Sequence, residues 1–189
     1  MSLEHLKKSL EEAPIVKKGE YHYVIHPITD GVPEIKPELL KEVTREMQKI
    51  IENCGQIDKI VTIEAMGIPL ATTLSLSMNI PFTIIRKRQY GLPGEVSVEQ
   101  TTGYSKSKLY LNGLKKRDKI VIVDDVLSTG GTLRAVLSSL KTIGVIVKGV
   151  VIAVDKGNTA KKIMDETKVA IHTIANIEVA NGKVIVKDI

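Results

Sequence analysis

Apolar positions along the chain recur with two different spacings, and segments of the two kinds alternate. Apolar residues three and four apart predict a short helix near the N-terminus, which Pro14 ends, and a longer helix over 39–51, which Gly55 closes. The β-branched run KIVTIE at 59–64 predicts a strand, and Pro69 then opens another helix. This order of elements is typical of strand, turn and helix units in a layered α/β domain.

Two nearly continuous apolar runs predict strands that are buried on both faces. They are KIVIVDD at 119–125 and IVKGVVIAV at 146–154, and Gly144 ends the amphipathic helix predicted between them. The remaining predicted elements are a strand at 81–87, a short helix at 159–166, a strand at 170–174 and a hairpin with its turn at Asn181-Gly182. The pattern therefore predicts an α/β fold with a central, mostly parallel sheet flanked by helices.

Two segments have weak periodicity. Prolines and glycines interrupt 21–37, for which we expect irregular chain with one short strand. The polar, glycine-bearing segment 88–107 is predicted to be a long mobile loop with strand-like flanks.

The composition indicates one soluble domain. A chain of 189 residues with 43% apolar residues can bury a sizeable core, and Cys54, the single cysteine, excludes an internal disulfide framework and a multi-cysteine zinc site. No apolar run reaches the roughly 18 residues that span a bilayer, and the N-terminus lacks a signal-peptide core. We therefore expect a cytoplasmic protein without a membrane partner.

The charge narrows the class of partner. A net charge of +5 and a pI near 9.2 favour polyanions. Aromatic residues make up only 3% of the chain, so platforms for stacking single-stranded nucleic acid are scarce. Phosphate-bearing small molecules are the favoured partners, and nucleic acid is not expected.

The stretch VIVDDVLSTGGT at 121–132 is the candidate site. Asp124 and Asp125 end a central strand, and ligands of open parallel sheets bind outside the carboxyl ends of the strands. A run of hydroxyl residues and glycines then leads into a helix N-terminus, where free N–H groups and the helix dipole favour an anion. This run comprises Ser128, Thr129, Gly130, Gly131 and Thr132. Two acids beside an anion site require a ligand that offers them neutral hydroxyls as hydrogen-bond donors, or a cation. A sugar phosphate bound with Mg²⁺ offers both. The alternative is a capped helix after a buried strand, although a plain cap needs only one Ser, Thr or Asp.

These residues resemble, over nearly all positions, the phosphoribosyl pyrophosphate (PRPP) motif of type I phosphoribosyltransferases. The resemblance implies the type I phosphoribosyltransferase fold, with Asp124 and Asp125 as the catalytic acids that hold the ribose hydroxyls. It also implies Mg²⁺ bound through PRPP with these two acids, directly or through water. The 5′-phosphate would lie in the loop 128–132.

Two further segments resemble the pyrophosphate side of the same family. VTIEAMGIPLA at 61–71 is similar to the family's pyrophosphate loop, and IIRKRQYGLPGE at 84–95 is similar to a basic segment of adenine and xanthine phosphoribosyltransferases. The pyrophosphate contacts that this implies are Glu64, Ala65, Met66, Gly67, Arg86, Lys87 and Arg88. Cations oppose the charge of pyrophosphate, although a solvated charge run is the alternative for any one of them. The segment 88–107 would be a lid that closes with Tyr104 and Ser105 over the site.

The whole pattern looks most like archaeal-type hypoxanthine phosphoribosyltransferases, which are related to the adenine and xanthine enzymes. The base contacts that the resemblance implies are Asp155, Lys156, Tyr23 and Ile25. A lysine donates to a 6-oxo group and cannot accept from a 6-amino group, which favours hypoxanthine, and guanine with it, over adenine. Adenine and xanthine stay open as alternatives, since relatives that use adenine also carry lysines nearby. For Tyr23 and Ile25 the alternative is plain hydrophobic packing.

The resemblance leaves the general acid or base unassigned. Human-type enzymes place an acid where this chain has Ser128, and adenine relatives carry a Glu where it has Gly103. Glu99 is near in sequence, but a proton-transfer role needs geometry first.

The implied protein is a single phosphoribosyltransferase domain over 1–189 that acts as a homodimer. Its core covers about 38–156, and 1–37 and 157–189 form a small hood. The implied activity is purine salvage, in which the 5-phosphoribosyl group of PRPP passes to hypoxanthine or guanine with release of pyrophosphate. A non-catalytic regulator that senses PRPP or purines is the rival, but the 37 residues before the core helix are too few for a DNA-binding module. A receiver or phosphatase domain does not explain the Thr-Gly-Gly-Thr loop.

Overall fold

The computed structural model describes residues 3–19, 21–102 and 105–188. The helices are α1 Glu4–Glu11, α2 Pro27–Asp30, α3 Pro37–Asn53, α4 Gly67–Met78, α5 Gly131–Ile143 and α6 Thr159–Thr167. The strands are β1 Ile15–Lys18, β2 Tyr21–Val24, β3 Lys59–Ile63, β4 Phe82–Ile85, β5 Val96–Thr102, β6 Ser105–Leu111, β7 Lys119–Leu127, β8 Ile146–Lys156, β9 Ile171–Ala180 and β10 Lys183–Asp188.

A six-stranded sheet with the order β10-β9-β8-β7-β3-β4 forms the centre of the molecule. Its strands pair in parallel from β4 to β9, and only β10 is antiparallel to its neighbour. The predicted mostly parallel sheet is confirmed. Because parallel strands end at the same edge, the carboxyl ends of β3, β7 and β8 lie side by side, which is where ligands of such sheets bind.

Two apolar cores cover the two faces of this sheet. Along β7, Val121 and Val123 face the core that includes α1, α3 and α4, whereas Ile120 and Ile122 face the core that includes α5, α6 and the β5–β6 pair. The alternation follows from the pleat of a strand, and burial on both faces explains why β7 is almost continuously apolar.

The segment 88–107 differs from its prediction as a long loop. Its described residues at 96–102 and 105–107 belong to the antiparallel pair β5–β6, in which Val98 faces Leu109. Val98, Leu109 and Leu111 are almost completely buried in the core beneath α5. The strands form because these alternating apolar residues pack beneath a helix. The weak periodicity of the whole segment concealed this alternation.

The segment 21–37 also has more structure than predicted. The one short strand expected there is β2, which pairs with β1 outside the segment, and the short helix α2 follows it where irregular chain was expected. His26 begins α2 because its side chain accepts a hydrogen bond from the Ile28 amide, and the proline at the first helical position needs no such bond.

The C-terminal strands belong to the central sheet. β9 is one continuous strand of 10 residues where a strand and a hairpin arm were expected, and it pairs with β8 on one side and β10 on the other. The expected boundary of the core near 156 thus cuts through this sheet, while β1–β2 lies apart from it. In the described ranges, no helix is long and apolar enough to cross a membrane.

Candidate active site

Asp124 and Asp125 lie at the carboxyl end of β7, as the sequence predicted. Asp125 is buried, with 8% of its surface exposed, and burial raises its pKa to about 6. The pKa of Asp124 is raised well above its ordinary value, first by burial and then by the neighbouring Asp125 charge. An ionised carboxylate that is poorly solvated and lies beside a second carboxylate becomes more stable when a ligand supplies hydrogen-bond donors or a cation. The acid pair therefore fits a ligand that brings hydroxyls or a metal ion.

The loop 128–132 runs directly from these acids into the N-terminus of α5. Gly130 is the N-cap and has a left-handed φ of 76°. A Cβ there would lie 2.4 Å from Ile163 Cδ1 and 2.8 Å from Arg134 Nη1, so only glycine fits. The loop lines the same cavity as the acids and leads into a helix N-terminus, where the helix dipole favours an anion, so it is a candidate anion site.

Contacts from α5 and α6 hold this loop in place. Arg134 Nη1 donates to the Thr129 carbonyl at 3.0 Å, and its other nitrogens donate to Glu166 at 2.6 and 2.9 Å. The Thr159 hydroxyl donates to the Ser128 carbonyl at 2.5 Å. Sequence reasoning missed Arg134 and Glu166, because 32 residues separate them and no local pattern links them.

A cavity of about 260 Å³ lies between the acids, the loop and the end of β3. Its polar lining comes from Glu64, Lys87, Asp124, Asp125 and the loop residues 128–132. The structure thus brings together the predicted phosphate loop, the acids and part of the predicted pyrophosphate segment. Arg86, Arg88, Ala65, Met66 and Gly67 are not among the described residues that line it.

The turn after β3 is held by ionic contacts and close packing. Glu64 Oε2 lies 2.8 Å from Arg86 Nε, close enough for an ion pair although the N–H direction does not meet hydrogen-bond geometry, and it accepts the Lys87 amide at 3.2 Å. The Glu64–Ala65 peptide bond is cis. Gly67 packs so closely against Asp124 that a Cβ would lie 2.7 Å from Asp124 Oδ1. The turn and the acid pair therefore form one packed unit.

Two of the predicted pyrophosphate residues point elsewhere. Arg88 lies over the ring of Tyr90, with 5.7 Å from its guanidinium carbon to the ring centre. Met66 packs beneath Gly31, where a Cβ would lie 3.1 Å from Met66 Cε. Met66 thus fixes the position of α2 above the turn.

A second cavity of about 250 Å³ adjoins the first and shares Ser128 with it. Lys156 lines it as predicted, at the carboxyl end of β8. The other lining residues are His22, Val24, Gly157, Ile177, Glu178 and Val179. This cavity is the candidate base site, because Lys156 lines it and because it shares Ser128 with the cavity that the two acids line.

Tyr23 and Ile25 do not reach this cavity, and Asp155 has another role. Side chains alternate along β2, so the face with His22 and Val24 lines the cavity, while Tyr23 is 44% exposed and Ile25 lines a groove beside Pro14. Asp155 is buried and its Oδ2 accepts the Ala160 amide at the start of α6 at 3.2 Å. The predicted base contacts of these three residues stay predictions, because none of the three lines the candidate cavity and one oxygen of Asp155 is bonded to the start of α6.

The lid prediction concerns residues that the structure describes only in part. Tyr104 lies outside the described residues. Ser105 is described by its backbone, which begins β6 opposite Thr102.

The described residues include no group of three or more His, Cys, Asp or Glu side chains placed to hold a metal ion. The pair Asp124 and Asp125 supplies hard oxygen donors, and their raised pKa values show that a nearby cation would stabilise the ionised forms. This donor set fits Mg²⁺ that takes its other ligands from substrate oxygens and water.

Comparison with known proteins gives one consistent family. The phosphoribosyl transferase domain model matches residues 33–184. A protein named hypoxanthine/guanine phosphoribosyltransferase from Methanocaldococcus infernus is 52% identical over 182 residues, which cover 96% of this chain and 99% of that protein. One of the same name from Methanococcus maripaludis strain C7 is 53% identical over 179 residues, covering 95% and 96%. Among solved structures, adenine phosphoribosyltransferase from Thermoanaerobacter pseudethanolicus has a TM-score of 0.74 and 23% identity, covering 93% of this chain and 99% of that one, which shows a shared fold.

Proposed function

The chain belongs to the phosphoribosyl transferase domain family, and we propose that it transfers the 5-phosphoribosyl group of PRPP to hypoxanthine or guanine, giving IMP or GMP and pyrophosphate. The proposal rests on one observation. A single cavity is lined by the two acids, by the amide-rich glycine loop and by Glu64 and Lys87. The names of the relatives at 52% and 53% identity support a 6-oxopurine as the acceptor and purine salvage as the role.

The sugar is held from two sides. The loop 128–132 binds the 5′-phosphate through its amides and hydroxyls, and Asp124 and Asp125 accept hydrogen bonds from the ribose hydroxyls. The reaction centre at C1 becomes oxocarbenium-like as pyrophosphate leaves. Nearby carboxylates stabilise that positive charge, and a fixed sugar keeps C1 in line with the attacking purine nitrogen.

Lys87 stabilises the charge of the leaving pyrophosphate from the other end of the cavity. Mg²⁺ supplies charge neutralisation of pyrophosphate when bound, and Asp124 and Asp125 would hold it directly or through water. Arg86 is paired with Glu64 and reaches pyrophosphate only if that ion pair opens. Exclusion of water is assigned to the segment 88–107.

The base occupies the cavity that Lys156 lines, next to C1. An ammonium group donates to O6 of hypoxanthine or guanine and has nothing to accept from the 6-amino group of adenine. Initial rates with hypoxanthine, guanine, xanthine and adenine, each with PRPP and Mg²⁺, test the proposal. Use of adenine alone would contradict the role of Lys156, and binding of duplex DNA at moderate salt without any turnover would favour the rival role as a purine-sensing regulator.

A variant tests the acid pair. Asp125→Asn removes an ionised acceptor while keeping the shape of the side chain, so we expect kcat/KM for PRPP to fall at least tenfold, a loss of about 1.4 kcal/mol. Circular dichroism should show an intact fold. An unchanged kcat/KM would remove Asp125 from the site.

We also propose a homodimer in the cytoplasm. A large apolar side chain on α4, Leu76, is 81% exposed, and such residues are often covered in an assembly. Analytical ultracentrifugation across a range of protein concentrations tests the assembly, and a single species of 20.7 kDa at every concentration would contradict it.

A further inference from the structure

The two cavities share one residue of the loop, Ser128. Its carbonyl is held from outside the loop, because it accepts the Thr159 hydroxyl at 2.5 Å. Ser128 has the candidate phosphate site on one side and the candidate base site on the other. A contact that sets the position of Ser128 therefore sets part of the wall of both sites.

Thr159 holds the loop at two points. Besides the hydrogen bond to Ser128, its methyl group packs on Gly130, since a Cβ added to Gly130 would lie 2.9 Å from Thr159 Cγ2. Thr129, the residue between these two, is held separately, because its carbonyl accepts Arg134 Nη1 at 3.0 Å. The Thr159 side chain thus fixes the beginning of the loop through one polar and one apolar contact.

The first turn of α6 is also attached to the wall of the base cavity. Thr159 is the first residue of α6, and the amide of the next residue, Ala160, donates to Asp155 Oδ2 at 3.2 Å. Asp155 is buried near the end of β8 and directly precedes Lys156 and Gly157, which line the candidate base cavity. The start of α6 is therefore joined to the phosphate loop by Thr159 and to the base cavity by Asp155.

We propose that Thr159 is a positioning residue, whose hydroxyl couples binding of the phosphoribosyl group to binding of the purine base through the Ser128 carbonyl. This inference rests on the proposed function and deepens it. Thr159 is not among the described residues that line either cavity, so it acts by holding the loop and does not touch a substrate.

The coupling follows from the shared wall. A base in the cavity of Lys156 and a 5′-phosphate in the loop 128–132 both bind against Ser128, which Thr159 ties to the start of α6. When one ligand fixes Ser128, the other binds a loop whose ordering cost has already been met, so its affinity rises. The effect acts equally in both directions, because coupling between two binding sites is reciprocal.

The test uses ribose 5-phosphate and hypoxanthine, a pair that fills both sites and cannot react because C1 carries no pyrophosphate. Titration calorimetry in the presence of Mg²⁺ gives the Kd of ribose 5-phosphate with and without saturating hypoxanthine. In wild type we expect hypoxanthine to lower this Kd at least fivefold. Thr159→Val keeps the methyl group and removes the hydroxyl, so the two Kd values should then agree within twofold. A ratio of the two Kd values that stays as in wild type would overturn the inference.

Matched variants separate the coupling from a general loss of structure. Thr159→Ser keeps the hydroxyl and removes the methyl group, so it should retain the coupling even if its melting temperature falls. Thr142→Val makes the same change on α5, where the hydroxyl donates to the Ser138 carbonyl one turn back, and should leave the ratio within twofold of wild type. If circular dichroism shows Thr159→Val to be unfolded, Thr159→Ala takes its place, with the same loss of coupling expected.

Failure of this inference and failure of the proposed function give different results. Absence of ribose 5-phosphate binding in wild type, together with absence of turnover of PRPP with every purine, would refute the proposed function. Turnover in wild type without any gain in ribose 5-phosphate affinity from hypoxanthine would refute only the coupling. Equal loss of coupling in Thr159→Ser and Thr159→Val would refute the role of the Thr159 hydroxyl.

Discussion

Gly67 stands where the turn after β3 meets the end of β7. An added Cβ would lie 2.1 Å from Thr62 Oγ1 and 2.7 Å from Asp124 Oδ1, far inside van der Waals contact. Thr62 Oγ1 is fully buried and has no hydrogen-bond partner among the described residues. If an added methyl group displaced it, no existing hydrogen bond would compensate for the movement. Space, rather than a left-handed backbone, therefore requires glycine here.

Gly67→Ala should displace Asp124 or the start of α4. Overpacking at a buried position costs about 1–3 kcal/mol, and moving the acid by a fraction of an ångström would weaken its proposed contact with the ribose. We expect kcat/KM for PRPP to fall at least tenfold and the free energy of unfolding to fall by about 2 kcal/mol. Initial rates and urea unfolding measure the two effects.

Gly149→Ala is the matched control for this variant. Gly149 also lies outside the left-handed region, and the nearest atom to its added Cβ is Cys54 Sγ at 3.1 Å, away from the site. Its kcat/KM should stay within twofold of wild type. Wild-type kinetics in Gly67→Ala would show that the turn accommodates a methyl group.

Whether a residue could be predicted from the sequence depends on how local its role is. Asp124, Asp125 and the loop 128–132 lie close together in the chain, within 124–132, so one motif located the centre of the candidate site. The face of β2 could not be read in this way. Period-two alternation separates His22 and Val24 from Tyr23, but only the packing of β2 decides which set meets the cavity.

At the scale of elements, Arg134 connects α5, the phosphate loop and α6. It holds the Thr129 carbonyl with one nitrogen and the Glu166 carboxylate with two others. The ion pair is partly solvated, with 35% of the Arg134 side chain and 51% of the Glu166 side chain exposed, so it adds little to global stability. Its consequence is local, because it fixes the carbonyl that precedes Gly130.

Arg134→Met should therefore affect binding more than folding. It keeps the apolar stem and removes all three hydrogen bonds, which frees the loop that we propose holds the 5′-phosphate. We expect KM for PRPP to rise about three- to tenfold, equivalent to roughly 0.7–1.4 kcal/mol, with KM for the base unchanged. Lys141→Met, on the same helix but, among the described residues, without a hydrogen bond to the loop, should leave both constants within twofold. An equal rise in both KM values would indicate a general loss of structure.

His26 connects α1 to α2 through a chain of hydrogen bonds. Its Nδ1 accepts the Ile28 amide at 3.2 Å, so the neutral ring carries its proton on Nε2 and donates to Ser9 Oγ at 2.8 Å. Ser9 Oγ then donates to the Leu6 carbonyl at 3.0 Å. Burial lowers the pKa of His26 to about 4, with Asp30 acting against this and Lys156 with it. A protonated ring would lose the Ile28 bond and carry a buried charge.

The stability of the protein should depend on this ring between pH 6.5 and pH 4. In this window the unfolded chain binds a proton that the folded chain does not, so the stability is full above 6.5 and falls as the pH falls. The shift corresponds to about 3 kcal/mol. Since carboxylates titrate in the same range, the measurement is the difference in unfolding free energy between wild type and His26→Gln, which should shrink toward pH 4. A difference that is independent of pH would show that His26 titrates normally.

Elements were predictable where burial is simple. β7 and β8 are buried on both faces, and α3 and α5 have one apolar stripe each, so their patterns sufficed. The β5–β6 pair was predicted only as strand-like flanks of a loop, because polar residues dominate the sequence of this segment. The sequence predicted β9 as two elements, because its apolar pattern changes near the point where pairing with β8 ends and pairing with β10 begins.

At the scale of the whole molecule, the sheet places two acids, Asp124 and Asp125, next to each other at the edge where its parallel strands end. Burial raises the pKa values of Asp124 and Asp125, and for Asp124 the neighbouring charge of Asp125 raises the pKa further. Near neutral pH these acids lower the stability of the free protein, because they would ionise more readily in the unfolded chain. A ligand that supplies hydroxyl donors and a cation removes this penalty, so binding and folding stability are coupled.

Thermal unfolding with PRPP and Mg²⁺ tests this coupling directly. At a ligand concentration of 100 Kd the folded state gains about 2.7 kcal/mol, which corresponds to a rise in Tm of about 5–10 °C for a chain of this size. PRPP with excess EDTA should give a much smaller rise, because the acids then repel the pyrophosphate end of the ligand instead of sharing a cation with it. Mg²⁺ alone should give little, since two carboxylates leave most of its coordination to water. Asp125→Asn should lose most of the response to PRPP with Mg²⁺. An equal rise with and without EDTA would mean that the acids act on the ribose alone and that the metal has no place between them and the substrate.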